Sequence, residues 1–461
     1  MAPLTSPIVR RRWGRRPRVV DVPDLLSSRR AAAWSAAAGA VLVVAAMVVP
    51  RVLGEDVQVN WPPLHADWDP RLGWLTLPAV LLGAVLVLAL PRLLATCSWR
   101  AVLALTYGTT WLWTMTVAMT QGRDGLARVF ERSGEYVHDA QHVKAVGPML
   151  RTFIEHIPMD STDNWHTHVA GHPPGALLFF VLLDRLGITD PFTIGVVVVT
   201  LGSSAAVAVV LTLKVLATER LARGAALWIV LAPTVVWMGV NGDALFTAVA
   251  AWGLCLLAVA TRSGGVRTAV TGVGAGLLLG LCVYLSYGLP LLGVLAVTIL
   301  WVGSSWRPLP WALGGALVVV AAFTVAGFSW WEAYPVLRER YYDGIASERS
   351  FAYWVWADVA AWTFTVGLAV WAAFPRALHV ARHAPDAAQA VLARLACGGV
   401  VTILLATLSG MSKAEVERIW MPFTIWVVAL PLLLPERWHR PLLASQVVLA
   451  LLAQTLLLTR W

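Results

Sequence analysis

Charge is scarce in this sequence. Of its 461 residues only 13% are Asp, Glu, Lys or Arg, while 58% are hydrophobic, and a soluble globular protein carries roughly 25% charged residues. That excludes a soluble fold and leaves an integral membrane protein that crosses the bilayer many times. Cysteine is scarce too: Cys97, Cys255, Cys282 and Cys397 fall in or beside apolar stretches without a pairing pattern, which excludes a disulfide framework and a cysteine metal site. Lysine is nearly absent. The formal charge of +9 comes from arginine, with lysine only at Lys144, Lys214 and Lys413. The arginines cluster near the ends of apolar runs and form no stripe interleaved with aromatics, so no nucleic-acid partner is expected. No cleavable leader is expected either. Residues 1–30 carry eight arginines ahead of an apolar run long enough to span, and such a basic segment stays in the cytoplasm.

What is abundant is apolar sequence. With roughly 17 to 25 residues per span, the runs place helices near 31–53, 74–91, 101–120, 191–217, 224–240, 243–261, 268–284, 286–303, 311–329, 353–375, 393–409, 420–435 and 441–459. The expected fold is an all-α polytopic membrane protein of about thirteen transmembrane helices. Lysine and arginine accumulate in cytoplasmic loops, and alternate loops hold Arg92 and Arg100, then Lys214, Arg220 and Arg223, then Arg262 and Arg267, then Arg307, then Arg376, Arg382 and Arg394, then Arg437 and Arg440. Every group agrees in parity. The outer side then receives four polar segments, 54–73, 121–190, 330–352 and 410–419. The apolar stretch from Ala176 to Gly187 is too short to span. It is expected to lie as a helix on the outer surface, because a short span there would flip every later loop and put arginine-rich ends outside.

The segment 121–190 holds six of the ten histidines. If residues 131–142 are helical, Glu135, His138, Asp139 and His142 share one face by their three and four spacing. A partly desolvated carboxylate flanked by imidazoles is a candidate general base for a hydroxyl; a solvated amphipathic helix is the plain alternative. His166, His168 and His172 form H-x-H-x3-H, a spacing that three imidazoles use on a metal and that loop histidines also use merely to hydrogen-bond. Pro173-Pro174-Gly175 cannot continue a helix but begins one. It holds His172 just before a helix N-terminus, where free amides favour an anion.

Two further outer motifs stand out. In Val240-Asn241-Gly242-Asp243, the acid either caps the helix that follows or faces a polar cavity. In Ser412-Lys413-Ala414-Glu415-Val416-Glu417-Arg418-Ile419-Trp420-Met421-Pro422, Lys413 and Arg418 either pair with a lipid phosphate or anchor the interface. The segment 330–352 adds Arg338, Arg340, Tyr341, Tyr342, Asp343 and Arg349 on the same side.

From about Thr109 to Pro435 this arrangement resembles the GT-C superfamily of membrane glycosyltransferases, which use polyprenyl-phosphate-linked sugars. The resemblance rests on Gly134-Glu135-Tyr136 opening the first long outer loop and Gly171-His172-Pro173-Pro174-Gly175 closing it. It rests also on Ala232-Pro233 through Asn241-Gly242-Asp243, and on Glu417-Arg418-Ile419-Trp420-Met421-Pro422. It implies a catalytic core over 101–435, with two additional N-terminal transmembrane helices over 31–100 and a final one over 436–461. By the same resemblance Glu135 is the general base, with Asp139 and then Glu131 competing, and His172, Lys413 and Arg418 hold the donor phosphate. Asp243, His168, Arg338 and Arg349 are expected in the substrate pocket. Cations at a departing phosphate stabilise the charge it gains in the transition state.

The chain departs from the family in having His172 where lysine often precedes the two prolines, which makes phosphate compensation pH-dependent. No soluble carbohydrate-binding domain is expected after the last helix, and the acceptor is expected to be a lipid-linked or envelope glycan near the membrane. The expected activity is sugar transfer from a polyprenyl-phosphate donor to an outer-face hydroxyl at a bacterial plasma membrane, of actinobacterial type, with no resident metal assigned and a divalent cation left open. The alternatives are a proton-coupled transporter, in which Glu135, Asp139 and the histidines relay protons, and a metal-dependent membrane hydrolase using His166, His168 and His172.

Overall fold

The computed structural model describes residues 29–239, 241–384 and 386–459. Of the basic segment expected over 1–30, Arg29 and Arg30 are described and begin the first helix; the rest lies outside the described residues, as does Val240 of the hairpin motif. The chain is an α-helical membrane protein. Among the described residues seven helices are long and apolar enough to cross a bilayer: Arg29–Leu53, Thr76–Thr96, Pro191–Leu216, Asp243–Thr261, Gly265–Leu285, Phe351–His383 and Ala387–Leu408. Leu309–Val325 and Trp330–Asp343 add an eighth if this pair, bent by 74°, counts as one span.

The difference from thirteen expected spans has physical causes. Trp99–Ala118 is a twenty-residue helix, but it carries threonines whose hydroxyls return to carbonyls one turn back, Thr106 to Val102 and Thr110 to Thr106. These threonines lower its mean hydropathy, and it is not among the seven. The run 224–240 breaks: a helix Glu219–Val230 stops ahead of Pro233, and a 3-10 turn Pro233–Trp237 follows. The run 420–435 forms only short turns, Met421–Thr424 and Leu430–Leu433. Both broken segments are buried against other helices, which is where irregular backbone is tolerated at membrane depth.

The run 441–459 also divides. A helix Glu436–Leu456 gives way to a short strand, Leu457–Thr459, antiparallel to Ala66–Trp68 with Asp67 opposite Leu458. Arg71 donates to the Leu457 carbonyl and Arg128 to that of Thr459, both at 3.1 Å. The C-terminal strand is therefore tied to the segments 54–73 and 121–190.

In the 33-residue helix Phe351–His383 the ladder is interrupted at Gly367, whose φ is 71°. Gln446 fills the gap, its amide donating to the Val366 carbonyl at 2.7 Å; a Cβ at Gly367 would lie 1.9 Å from Gln446 Oε1. The stretch expected on the surface after Pro173 is a twelve-residue helix, Pro174–Arg185. It buries Leu177, Phe180 and Val181 and leaves Leu182 exposed, and a Cβ on Gly175 would meet the Tyr284 carbonyl at 2.4 Å. Only glycine lets this helix start so close to its neighbour.

Candidate functional site

The four polar segments meet at one end of the helices. Glu415 lies 3.3 Å from His65 Nδ1, Arg349 donates to the Lys413 carbonyl at 2.8 Å, and Arg340 donates to the carbonyls of Ile157 at 2.6 Å and Trp165 at 3.0 Å. Arg340 is thus the arginine that grips the long loop; Arg338, expected in the substrate pocket, is exposed.

Glu135 sits at the start of the helix Tyr136–His142 without capping it. Its two neighbouring segments are pinned together by the His168 backbone N–H, which donates to the Gly134 carbonyl at 3.1 Å. The carboxyl is 3% exposed. Oε1 is 3.4 Å from His168 Nε2, and Oε2 is buried without a hydrogen-bond partner among the described residues. Burial pushes the Glu135 carboxyl up to about 8, against the opposing charge of Arg418, with Asp243 and Glu415 reinforcing the rise. Burial first, and then the Arg418 charge, pull His168 down to about 3. The Glu135–His168 contact at neutral pH therefore joins an uncharged acid and a neutral imidazole.

His172 is also neutral. Its Nδ1–H donates to the His168 carbonyl at 2.8 Å, since a carbonyl can only accept, and burial lowers its pKa. Tyr136 organises both rings: it stacks on Phe180 at 4.9 Å between centroids and meets His168 and His172 edge-on. His172 rests in turn on Phe246, one turn into the helix that Asp243 begins.

Asp243 does not cap that helix through its side chain. The Asn241 side chain accepts from the Asp243 N–H at 2.9 Å, which leaves the Asp243 carboxylate to receive Arg418 Nη1 at 2.8 Å. Arg418 Nη2 donates to Glu415 at 2.6 Å. Arg418 is 3% exposed, and although burial disfavours its charge, Asp243 and Glu415 raise its pKa above the ordinary value. Burial alone would raise Glu415; the His65 hydrogen bond and the charges of Arg418 and Arg349 instead hold it well below the usual carboxylate range.

The backbone is strained here. Ala414 and Glu415 have φ of 68° and 64°, a left-handed pair without glycine of the kind concentrated at functional sites. The Ala414 N–H donates to Asp358 at 3.0 Å, and Lys413 Nζ donates to the Ala346 carbonyl at 2.9 Å with Tyr342 beneath it at 5.2 Å. Of the three expected phosphate-holding residues, Arg418 and His172 lie in one cluster with Glu135 and Asp243, whereas Lys413 turns toward the 330–352 segment.

Asp139 belongs to a second cluster. The His166 backbone N–H donates to Oδ2 at 3.1 Å, His166 Nδ1 lies 2.6 Å from Oδ1, and His138 Nδ1 is 3.6 Å away. The expected single face of Glu135, His138, Asp139 and His142 is therefore divided: the two acids are buried in separate clusters, and both histidines are exposed. The expected trio of His166, His168 and His172 is divided as well, because His166 turns to Asp139. Among the described residues the grouping able to hold a metal is His138, Asp139 and His166, with ligand atoms within 4.8 Å of one another.

Sequence reasoning passed over Glu415 and His65, the first of which links Arg418, Arg349 and His65. Glu415 stands inside the Lys413-to-Pro422 motif, but its left-handed backbone leaves no mark in the residue type, and its partner His65 is 350 residues away. No family model and no curated protein matches this chain.

Proposed function

We propose that this membrane protein is a GT-C-like glycosyltransferase, moving a sugar from a polyprenyl-phosphate donor to the hydroxyl of an envelope glycan or lipid at the outer face of a bacterial plasma membrane. The observation that carries the reading is Glu135: a buried carboxyl pushed up to about 8, with one oxygen unpartnered, beside a fixed guanidinium. A base is most effective when its pKa is near the working pH. In a single displacement, the Glu135 carboxylate takes the acceptor proton as the acceptor oxygen attacks the anomeric carbon. The bond from that carbon to the phosphate oxygen breaks, the configuration inverts, and the phosphate leaves with the electron pair.

Arg418 supplies a fixed positive charge near that phosphate, oriented by Asp243 and Glu415. Both of its terminal nitrogens already serve carboxylates, and Lys413 and Arg349 are buried. Each terminal nitrogen keeps a second hydrogen that a phosphate oxygen can take, and the left-handed Ala414–Glu415 pair is the natural place for the 410–419 loop to give when the donor binds. His168 lines the acceptor side next to Glu135, and Asp139, already accepting from His166, is the competing base. The His138, Asp139 and His166 grouping is where a divalent cation would bind if transfer requires one.

One observation also favours a proton-coupled transporter: a buried acid titrating near neutrality is what a proton carrier needs. The metal-dependent hydrolase loses its expected three-imidazole set, and activity that survives a chelator removes it. The deciding experiment offers polyprenyl-phosphate sugars to the wild type and to Glu135→Gln. Transfer by the wild type and its loss in the variant support the reading. Retained transfer in the variant shifts the base to Asp139, and a wild type that consumes no donor, while carrying protons into vesicles, overturns the glycosyltransferase.

A further inference from the structure

Two cavities open at the other end of the helices, of about 630 and about 1070 Å³. They share Arg220, Leu432, Glu436 and His439 and so form one branched recess. Two helices fix its location. Thr76–Thr96 starts after the segment that holds His65 and brings Arg92 to the recess near its far end. Glu436–Leu456 starts at the recess and delivers the strand Leu457–Thr459 to the candidate-site end. At about 1.5 Å per residue, these 21-residue helices separate the recess from Glu135 by most of a bilayer.

The recess is strongly cationic. Arg29, Arg92, Arg220, Arg376 and Arg440 line it, and none of them pairs with a carboxylate among the described residues. The acids offset them only in part. Glu219 is bound to Lys214 at 2.8 Å and to Arg223 at 2.7 Å, which leaves Asp386, a helix cap that keeps its charge, and Glu436. Arg223 is committed elsewhere, donating to the carbonyls of Leu94 and Cys97. Five arginines against these two acids leave the recess net positive, and an anion bound between the arginines relieves their repulsion.

The wall of the larger cavity is apolar, with Leu88, Pro91 and Ala95 accessible and Val87, Leu94, Leu227, Trp228 and Leu443 buried between three helices. Its volume is at the top of the roughly 300–1,000 Å³ range of small-molecule sites. A cationic rim over an apolar wall, at the end of membrane-crossing helices, matches an amphiphile with a phosphate-ester head and aliphatic tails. Clusters of arginine beside a span bind anionic headgroups by the same electrostatics. We propose that this recess is a binding site for one anionic phospholipid, its phosphate held by Arg92, Arg220 and Arg440 and its chains lying along Leu88, Pro91 and Ala95.

The test uses the purified full chain in detergent, with native mass spectrometry reading retained lipid. Phosphatidylglycerol, phosphatidylcholine and inorganic phosphate are the probes, and the proteins are wild type, Arg220→Gln/Arg440→Gln, Arg220→Lys/Arg440→Lys, Arg92→Gln and Arg338→Gln. The expected result is retention of phosphatidylglycerol over phosphatidylcholine, roughly fivefold weaker for each charge removed, recovered in the lysine pair and unchanged in Arg338→Gln, which lies at the opposite end. The single Arg92→Gln change at the exposed rim gives the same readout if the double glutamine variant does not fold. Equal retention of phosphatidylcholine, equal affinity for inorganic phosphate, or no effect of the recess variants would each overturn the proposal.

Discussion

Arg418 Nη1 lies 2.8 Å from Asp243 Oδ2, across 175 residues of sequence and with both residues buried. The pair joins the start of the spanning helix Asp243–Thr261 to the 410–419 loop. It also fixes a positive charge beside Glu135, which Arg418 pulls down while burial pushes it up. Neither residue is free to act alone.

Removing one partner strands the other. Asp243→Asn takes from Arg418 the carboxylate at 2.8 Å, and loss of one half of a buried ion pair costs about 3–5 kcal/mol. Asp243→Asn is expected to lower the unfolding midpoint in detergent, and Asp243→Asn/Arg418→Met to recover part of the loss. Additive losses in that double-mutant cycle would show that the two side chains are not coupled.

Glu135 makes stability pH-dependent. Its ordinary value is 4.5 and its folded value about 8, so between these pH values the folded chain holds a proton that the unfolded chain has released. Stability from this group is full below 4.5, falls as pH rises through that window, and levels off above 8. Glu135→Gln, which keeps the shape and cannot ionise, is expected to be more stable than wild type by a margin that grows across the window. Thermal unfolding at a series of pH values reads this, and a margin independent of pH contradicts the burial of a titrating carboxyl.

The same titration sets the expected activity. If Glu135 is the base, kcat/KM for sugar transfer climbs with pH toward a plateau above about 8. Glu135→Gln lowers the rate by roughly 10²–10⁴-fold without moving donor binding. A rate that falls over that interval would point to a group needed in its protonated form.

What the sequence made legible was whatever is local. Spans such as 243–261 and 191–217 match Asp243–Thr261 and Pro191–Leu216 closely, because twenty apolar residues and flanking arginines are read within one window. The gathering of Glu135, Asp243, Lys413 and Arg418 at one end followed from loop parity. The runs 224–240 and 420–435 misled because burial in protein selects the same residues as burial in lipid. Their prolines, Pro233, Pro422 and Pro431, carried the signal that they are not single helices. The Glu415–His65 contact and the turning of His166 toward Asp139 depend on packing between distant segments, which no spacing rule encodes.

Gly367 and Gln446 form one device. The Gln446 amide satisfies the Val366 carbonyl inside the kink and occupies the space a Cβ would need. Gln446→Leu leaves that carbonyl unsatisfied, at about 1–3 kcal/mol, and Gly367→Ala must both strain a positive φ and displace the glutamine. Each is expected to lower the unfolding midpoint, and the pair together by less than the sum. Strict additivity would separate the kink from the side chain that fills it.

Topology is open to a direct measurement. Asp163 is exposed on the segment that carries Glu135 and His168. Gly264 follows the far end of Asp243–Thr261 and has open space at its Cβ position. That helix has nineteen residues, so at about 1.5 Å each it nearly crosses the hydrocarbon core. The half-buried Cys97 and Cys397 are first changed to serine, which leaves only the buried Cys255 and Cys282. In sealed cells, a membrane-impermeant thiol reagent is then expected to label Asp163→Cys, and to label Gly264→Cys only after the membrane is opened. Labelling of both in sealed cells would break the assignment of Asp243–Thr261 as a span, and the reverse pattern would put Glu135 on the cytoplasmic side, where a polyprenyl-phosphate sugar presented at the outer face cannot reach it.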